Sequence, residues 1–533
     1  MKERLGIALV ILAFAGAPRK ARAQGNAYAA PIGGRSALMG NTGVALGVDG
    51  AAPFLNPATI VRLDDQRFAF SVNFYEFSVN HFSNWHQPGQ VDTTQFGNVS
   101  LSGTSLTSSG FSGLPSTLCL FFTLAKGSPD ADARVANLDS WRQKLALCLG
   151  TTENQGVAFA AVPFSGTTSF GQTTQAQSLI QSWNRLNIGP SYSIALTHRL
   201  ALGVSLHAVY TTESYLLNSS TLTSSANNSA VGSALGISGG GSSMDVASIL
   251  GATYGWDRYT FGASVSVPSV HVLGSYTGVQ HEDYEGGTSS GTASISNGTG
   301  TLSAGPPVRV AVGAGAEWPS LTLELDESLY IPSPSGFSAA VTGTTSALAN
   351  GAVMTSSFAS KLGVAEHVVV NTSVGAEYFL TRDFSVVGGL ALNLSALAAL
   401  APASGVGNLV QERESTATLS AGVGSYSKTG NVLIGFQLGY GWGSSLAVDP
   451  YVTPNQLAVI DTQAYSALLI LSGSTSLKSL GHAVEHIEKV ISGAEKVAPP
   501  TTPPEKTALP PPASAPAGPP SSARVPPSPS SPP

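Results

Sequence analysis

The chain has 533 residues, of which 11 % are charged, against roughly 25 % in ordinary soluble domains. An apolar fraction of 42 % excludes global disorder, and a net charge of −6 leaves no basic footprint for nucleic acid. Two cysteines are too few for a disulfide scaffold or a Cys-rich metal site, and no cofactor or metal is expected.

The N-terminus begins with Lys2 and Arg4, followed by the apolar run Leu5 to Ala17 and the small-residue site Ala21-Arg22-Ala23. Residues 1–23 therefore predict a secretory signal peptide cleaved before Gln24. That run is too short to span a bilayer, and no later segment reaches about 18 consecutive apolar residues. An exported chain of this kind is soluble or a β-barrel.

Alternation decides between the two. Leu200, Leu202, Val204, Leu206, Ala208 and Tyr210 alternate with Ala201, Gly203, Ser205, His207 and Val209. The same period of two runs through Tyr259 to Val267 and Val432 to Trp442. About nine to eleven residues is also the length of a tilted membrane-spanning strand. Fourteen strands are expected, near residues 67–82, 115–126, 143–155, 186–198, 200–213, 246–256, 258–276, 306–316, 319–331, 368–381, 383–397, 415–427, 430–443 and 462–473.

The connections alternate in length. Tight ones fall around Thr197-His198-Arg199, Trp256-Asp257-Arg258, Trp318-Pro319, Thr381-Arg382-Asp383 and Lys428-Thr429-Gly430. Long ones, rich in Ser, Thr, Gly and Asn, are expected at Asn218 to Ser243, Gly274 to Gly305 and Pro332 to Ser360. Short periplasmic turns and long external loops are the rule of outer-membrane barrels, and an even strand count returns both termini to the periplasm. Tyr440 and Trp442 fall at the external end of their strand, and Tyr254, Trp256 and Trp318 at the turn end, as headgroup-level aromatics do.

The segment from Gly33-Gly34-Arg35-Ser36-Ala37-Leu38-Met39-Gly40 to Asn56-Pro57-Ala58 resembles the hatch of the long-chain fatty acid outer-membrane transporters, a family that includes uptake channels for aromatic hydrocarbons. Hairpin motifs such as Ile188-Gly189-Pro190-Ser191-Tyr192 into Leu202-Gly203-Val204 are similar too. The resemblance covers roughly residues 30–473. Thr59 stands where the family often has Gly, and about 60 residues follow the last strand. It implies a 14-stranded barrel plugged by its N-terminal segment, a hatch motif of Asn56, Pro57 and Ala58, and a lateral exit through a kink in the third strand. Here alternation lapses at Gly150, Thr151, Thr152 and Asn154, which suits a kink or bulge.

The expected organisation is therefore a signal peptide (1–23), a hatch (24–66), an all-β transmembrane barrel (67–473), a short amphipathic helix (474–497) and a Pro-rich periplasmic tail (498–533). The inward sets carry little charge, with Arg309, Glu324, Asp326 and Glu377 as candidate lumen polar groups. A general porin would show opposed charged rings at a constriction. A nearly neutral lumen suits an apolar solute, because little polar desolvation is incurred. The expected function is uptake of hydrophobic small molecules, long-chain fatty acids or aromatic hydrocarbons, across the outer membrane. The solute would be captured outside, held in the plugged lumen and released by hatch movement. The alternative is a non-specific porin or structural outer-membrane protein with a periplasmic tether. The barrel's surroundings would be membrane lipid and lipopolysaccharide, and it is expected as a monomer.

Cys119 and Cys148 both fall on inward sets of neighbouring strands, so either a disulfide or two free thiols fits. Ser205 and His207 share an inward face but stand about 7 Å apart along it with no carboxylate nearby, so no enzyme is expected. His482 and His486 lie four apart on a helical pattern with no third ligand near, and read as a solvated face. The tail holds 15 of the 33 prolines and is expected to be extended, within reach of a periplasmic or cell-wall partner.

Overall fold

A computed structural model describes residues 31–63, 66–82, 106–126, 139–160, 164–168, 171–224, 230–286, 289–333, 336–349, 351–363, 366–400, 403–404, 412–449 and 456–479. The signal peptide (1–23), the start of the hatch (24–30), His482, His486 and the Pro-rich tail lie outside the described residues.

Fourteen antiparallel strands form one closed barrel. They are β1 (Arg67–Phe82), β2 (Leu106–Ala125), β3 (Gln143–Ala160, continued by Phe164–Thr168), β4 (Gly171–Ala195), β5 (Leu200–Ser224), β6 (Ala230–Trp256) and β7 (Tyr259–Ser266 and Val270–Gly286). After them come β8 (Ser289–Ser303 and Val308–Glu317), β9 (Leu321–Ile331 and Ser338–Ala349), β10 (Ala352–Gly363 and Val369–Phe379) and β11 (Phe384–Asn393), while the short stretch Ala403–Ser404 pairs with the start of the last strand. The last three are β12 (Glu412–Tyr426), β13 (Gly430–Asp449) and β14 (Gln456–Ser476). Each pairs with its neighbours in sequence, and β14 pairs back onto β1 from Arg67↔Ser476 to Phe82↔Thr462. Closure leaves no free edge, which a strand structure in hydrocarbon requires.

Period-two patterning sets the two faces. On β5, Leu202, Val204, Leu206 and Tyr210 are exposed, while Ala201, Ser205, His207 and Val209 are buried. On β13, Val432, Ile434, Phe436, Leu438, Tyr440 and Trp442 form the exposed row. A continuous apolar exterior on a closed barrel defines a transmembrane β-barrel. Trp256 and Tyr259 mark the turn end of this belt, with ring centroids 6.4 Å apart. Trp318, expected beside them, instead lines a cavity at that end.

The strands run much further than alternation of apolar residues predicts. The segments expected as long loops at Asn218–Ser243, Gly274–Gly305 and Pro332–Ser360 are largely strand: the β5–β6 ladder continues from Leu200↔Tyr254 to Ser224↔Ala230 without interruption. Their Ser and Thr content misled the expectation. Hydroxyls pair across strands here, as in Ser182···Ser214 at 2.8 Å and Ser296···Thr345 at 2.8 Å. A ladder wet on its outer face needs no apolar row there, and β-branched Thr suits it. For the same reason Tyr440 and Trp442 mark the top of the apolar row and not the end of β13, which runs on to Asp449. Prolines interrupt the strands between the two levels: Pro268 in β7, Pro306 and Pro307 in β8, and Pro332 in β9. Each lacks the N–H a ladder needs. At the C-terminal end, residues 474–476 close β14 instead of opening a helix, residues 477–479 are helical, and the rest of the expected helix lies outside the described residues.

Cys119 and Cys148 face each other across the β2–β3 ladder with Cα atoms 4.3 Å apart and are joined as a disulfide.

The belt predicts its own test. Leu206→Arg places a charge on the exposed apolar row and should lower barrel stability by about 2–4 kcal/mol at the bilayer midplane. Urea titration in phospholipid vesicles measures this, and an unchanged midpoint would place the row outside the hydrocarbon.

Candidate functional site

Residues 31–63 are almost entirely buried, enclosed by the inward faces of the strands. They contain two single-turn helices, α1 (Arg35–Leu38) and α2 (Ala52–Leu55), and a 3-10 turn at Pro57–Arg62. Such a segment leaves many backbone groups without regular partners, and each must be bonded or cost about 1–3 kcal/mol.

The wall supplies those partners. On β9, Asp326 Oδ2 accepts the amides of Gly43 (2.8 Å) and Val44 (3.0 Å), and Glu324 Oε1 accepts those of Ala45 and Leu46, both at 2.8 Å. Hydroxyls take the carbonyls: Ser71 donates to Gly33, Ser205 to Pro53, Ser264 to Leu55 and Ser420 to Leu38, each within 2.8 Å. On β8, Arg309 Nη1 donates to the Phe54 carbonyl at 3.3 Å. On β10, Glu377 accepts Arg35 Nε at 2.6 Å, Ser385 Oγ at 2.7 Å and Tyr426 Oη at 2.5 Å. Burial opposes the charge on Arg35, yet the combined attraction of Glu377, Tyr426 and Glu324 outweighs it and holds the guanidinium pKa above its ordinary value.

Asn56 caps the 3-10 turn: its Oδ1 accepts the Ala58 amide at 3.1 Å. Its Nδ2 donates to the carbonyls of Val44 (2.6 Å) and of Ala252 on β6 (3.1 Å). One side chain thus ends a turn, ties two stretches of the segment together and fastens both to the wall. Thr59 donates its hydroxyl to the Asn56 carbonyl at 2.9 Å. The approach is so close that a Cβ at Gly251 would overlap Asn56 Oδ1, and one at Gly389 would overlap the Met39–Gly40 peptide.

The four sequence-predicted lumen groups, Arg309, Glu324, Asp326 and Glu377, all face inward and are buried. They hold the enclosed segment and do not line an open path. Ser205 and His207 do the same: Ser205 bonds to Ser191 (2.7 Å) and Pro53, while His207 stacks on Phe54 at 5.0 Å.

Above the segment the lumen holds an apolar cluster with a few buried charges beside it. Leu179, Tyr215, Leu217, Ile237, Leu302 and Val341 belong to one buried cluster at the level of the proline breaks and beyond. Beside it, Glu153 accepts Trp183 Nε1 at 2.6 Å and pairs with Arg185, whose Nη2 donates to the Ala304 carbonyl at 3.0 Å. This group was not anticipated: Glu153 and Arg185 lie on different strands, and the inward register beyond the apolar belt gave no signal. At the turn end a cavity of about 450 Å³ opens beside Arg35, Arg62 and Glu317. There Arg62 pairs with Glu317 at 2.5 Å.

The β2–β3 ladder has an unusual end. It runs from Ala125↔Gln143 to Thr117↔Gly150 and stops, although β2 continues back to Leu106 beside β1 and β3 continues to Ala160 beside β4. At that point β3 carries a bulge, with Thr151 opposite Leu186 and Glu153 opposite Arg185, so that Thr152 is the extra residue. The bulge falls within the predicted kink residues, and Gly150 beside it leaves room for the Phe54 ring.

The architecture defines the class: a transmembrane β-barrel of 14 strands whose lumen is filled by its own leading segment. No protein-family model and no curated protein matches the chain. Among solved structures it is similar to the Ralstonia pickettii toluene transporter TbuX, at 15 % identity over 84 % of this chain and 98 % of that one, with a TM-score of 0.46. It is also similar to the P. putida toluene transporter TodX (14 %, 84 % and 98 %, TM-score 0.46) and to a Pseudomonas aeruginosa FadL homologue (11 %, 86 % and 100 %, TM-score 0.43).

Removing the wall carboxylates should loosen the enclosed segment. The double variant Glu324→Gln, Asp326→Asn weakens four amide contacts and is expected to raise single-channel conductance in planar bilayers. Conductance equal to that of the native chain would show that these groups do not hold it.

Proposed function

We propose that the chain is an outer-membrane uptake channel for hydrophobic small molecules. The solute enters the apolar upper lumen from outside, meets the enclosed segment as a hatch, and leaves sideways between β2 and β3 into the bilayer. The observation that carries this reading is the parting of the β2–β3 ladder at Gly150, beside the Phe54 ring of the hatch. An apolar solute gains nothing by continuing into water, and each buried Å² of its surface is worth roughly 25 cal/mol. A lateral path keeps that surface in an apolar medium from lumen to lipid.

The apolar cluster around Tyr215 and Leu302 supports the same reading, because it suits a solute without a hydration shell to surrender. A non-specific porin needs a continuous water path, and the burial of residues 31–63 weighs against one. Hatch movement would require release of the amide contacts at Glu324 and Asp326.

Accumulation of labelled butylbenzene in cells stripped of their own hydrophobic-uptake barrels tests the proposal. Expression of this chain should accelerate it. Deleting Thr152 removes the extra residue, restores regular alternation along β3 and should return accumulation to background while the barrel still shows heat-modifiable migration. Accumulation unaffected by expression would refute the uptake reading, and accumulation unaffected by the deletion would refute the lateral exit.

A further inference from the structure

Seven carboxylates are buried among the described residues, and five have evident work. Glu324 and Asp326 accept hatch amides, Glu377 holds Arg35, Glu153 holds Arg185, and Asp245 accepts Ser243 Oγ at 2.7 Å and faces His271 Nδ1 at 3.2 Å. Glu213 and Glu366 differ. Each is deeply buried, at 6 % and 7 % exposure, and neither side chain makes a hydrogen bond or ion pair among the described residues.

Basic side chains show the opposite pattern. The buried Arg and Lys residues among the described ones are Arg35, Lys144, Arg185 and Arg309, and each bonds to the chain: to Glu377, Thr123, Glu153 and the Phe54 carbonyl respectively. The upper lumen therefore offers acceptors in excess, since its one buried guanidinium among the described residues, Arg185, is already paired with Glu153 and lies over the Trp183 ring at 5.7 Å.

The surroundings of Glu213 are specific. It stands on β5 between Thr211, which accepts Arg185 Nε, and Tyr215, all three on the buried face. Its register partner on β4 is Trp183, whose ring lies 5.7 Å from that of Phe337. Tyr215 and Tyr276 share a hydroxyl contact of 3.0 Å within electrostatic reach of Glu213. Glu366, in the interruption of β10, lies within reach of Glu153 and Arg185. A carboxylate enclosed without a partner is costly, and aromatic faces attract cations. An apolar body with one ammonium group satisfies both.

Resting on the uptake reading above, we infer that the preferred solute is a hydrophobic amine, an aromatic or alkyl body carrying one ammonium group, which Glu213 receives among Trp183, Tyr215 and Tyr276, with Glu366 as a second acceptor. A fatty acid carboxylate meets these same acceptors and is repelled.

The test uses three probes of matched shape in the same cells: 4-phenylbutylamine, butylbenzene and 4-phenylbutyrate. The native chain should take up the amine fastest and the carboxylate slowest. Glu213→Gln should lower amine uptake about tenfold, in keeping with a desolvated cation contact, while butylbenzene uptake, which reports a folded and working channel, stays unchanged. Glu366→Gln should give a smaller loss of the same sign and serves as the second probe where Glu213→Gln fails to assemble. Equal uptake of amine and carboxylate by the native chain overturns the inference, as does an amine preference that survives both substitutions. In either case butylbenzene uptake leaves the channel reading standing. Uptake of none of the three removes the channel reading and this inference with it.

Discussion

Everything in this barrel depends on how an irregular stretch of backbone is kept inside a wall. A strand wall bonds its own amides and carbonyls to its neighbours, so it has few to lend, the Ala252 carbonyl met by Asn56 being an exception. Residues 31–63 must therefore be met by side chains, and the inward face is composed accordingly: carboxylates where amides arrive, hydroxyls where carbonyls arrive, and glycine where the two backbones touch. Asn56 applies the same solution from within the segment, with its amide nitrogen reaching both Val44 and the wall. The scarcity of lumen charge follows from this. Arg309, Glu324, Asp326 and Glu377 are consumed in holding the segment, and the space above it combines an apolar cluster with a few further buried charges such as Glu153, Arg185 and Glu213.

Much of the barrel was legible because membrane strands obey one strict rhythm. Leu202, Val204 and Leu206 on β5, or Val432 to Trp442 on β13, carry an apolar signal that nothing but lipid or a core explains. The outer halves of the strands were illegible for the complementary reason. Water on the outside lets Ser and Thr occupy both faces, so the ladder from Thr212↔Ser242 to Ser224↔Ala230 has the composition of a loop and the geometry of a sheet.

The site was half legible. Arg309, Glu324, Asp326 and Glu377 stood out as isolated charges on inward positions, and the lapse of alternation after Leu149 marked the bulge at Thr152. Their partners did not stand out. Asp326 bonds to the amides of Gly43 and Val44, some 280 positions away, and a backbone amide leaves no trace in composition. Arg185 lies just before the expected strand 186–198, and Glu153 and Glu213 fall at the ends of the expected strands 143–155 and 200–213, where no apolar row remains to mark the inward direction.

The disulfide between Cys119 and Cys148 sits on the β2–β3 ladder two residues from its end at Thr117↔Gly150. Hydrogen bonds between two strands can peel apart pair by pair, each step easing the next. A covalent rung halts such unzipping. The seam between these strands is thereby given a fixed lower limit: whatever spreads it from above reaches the sulfur bridge and stops, and the turn-end half of the wall keeps its circumference.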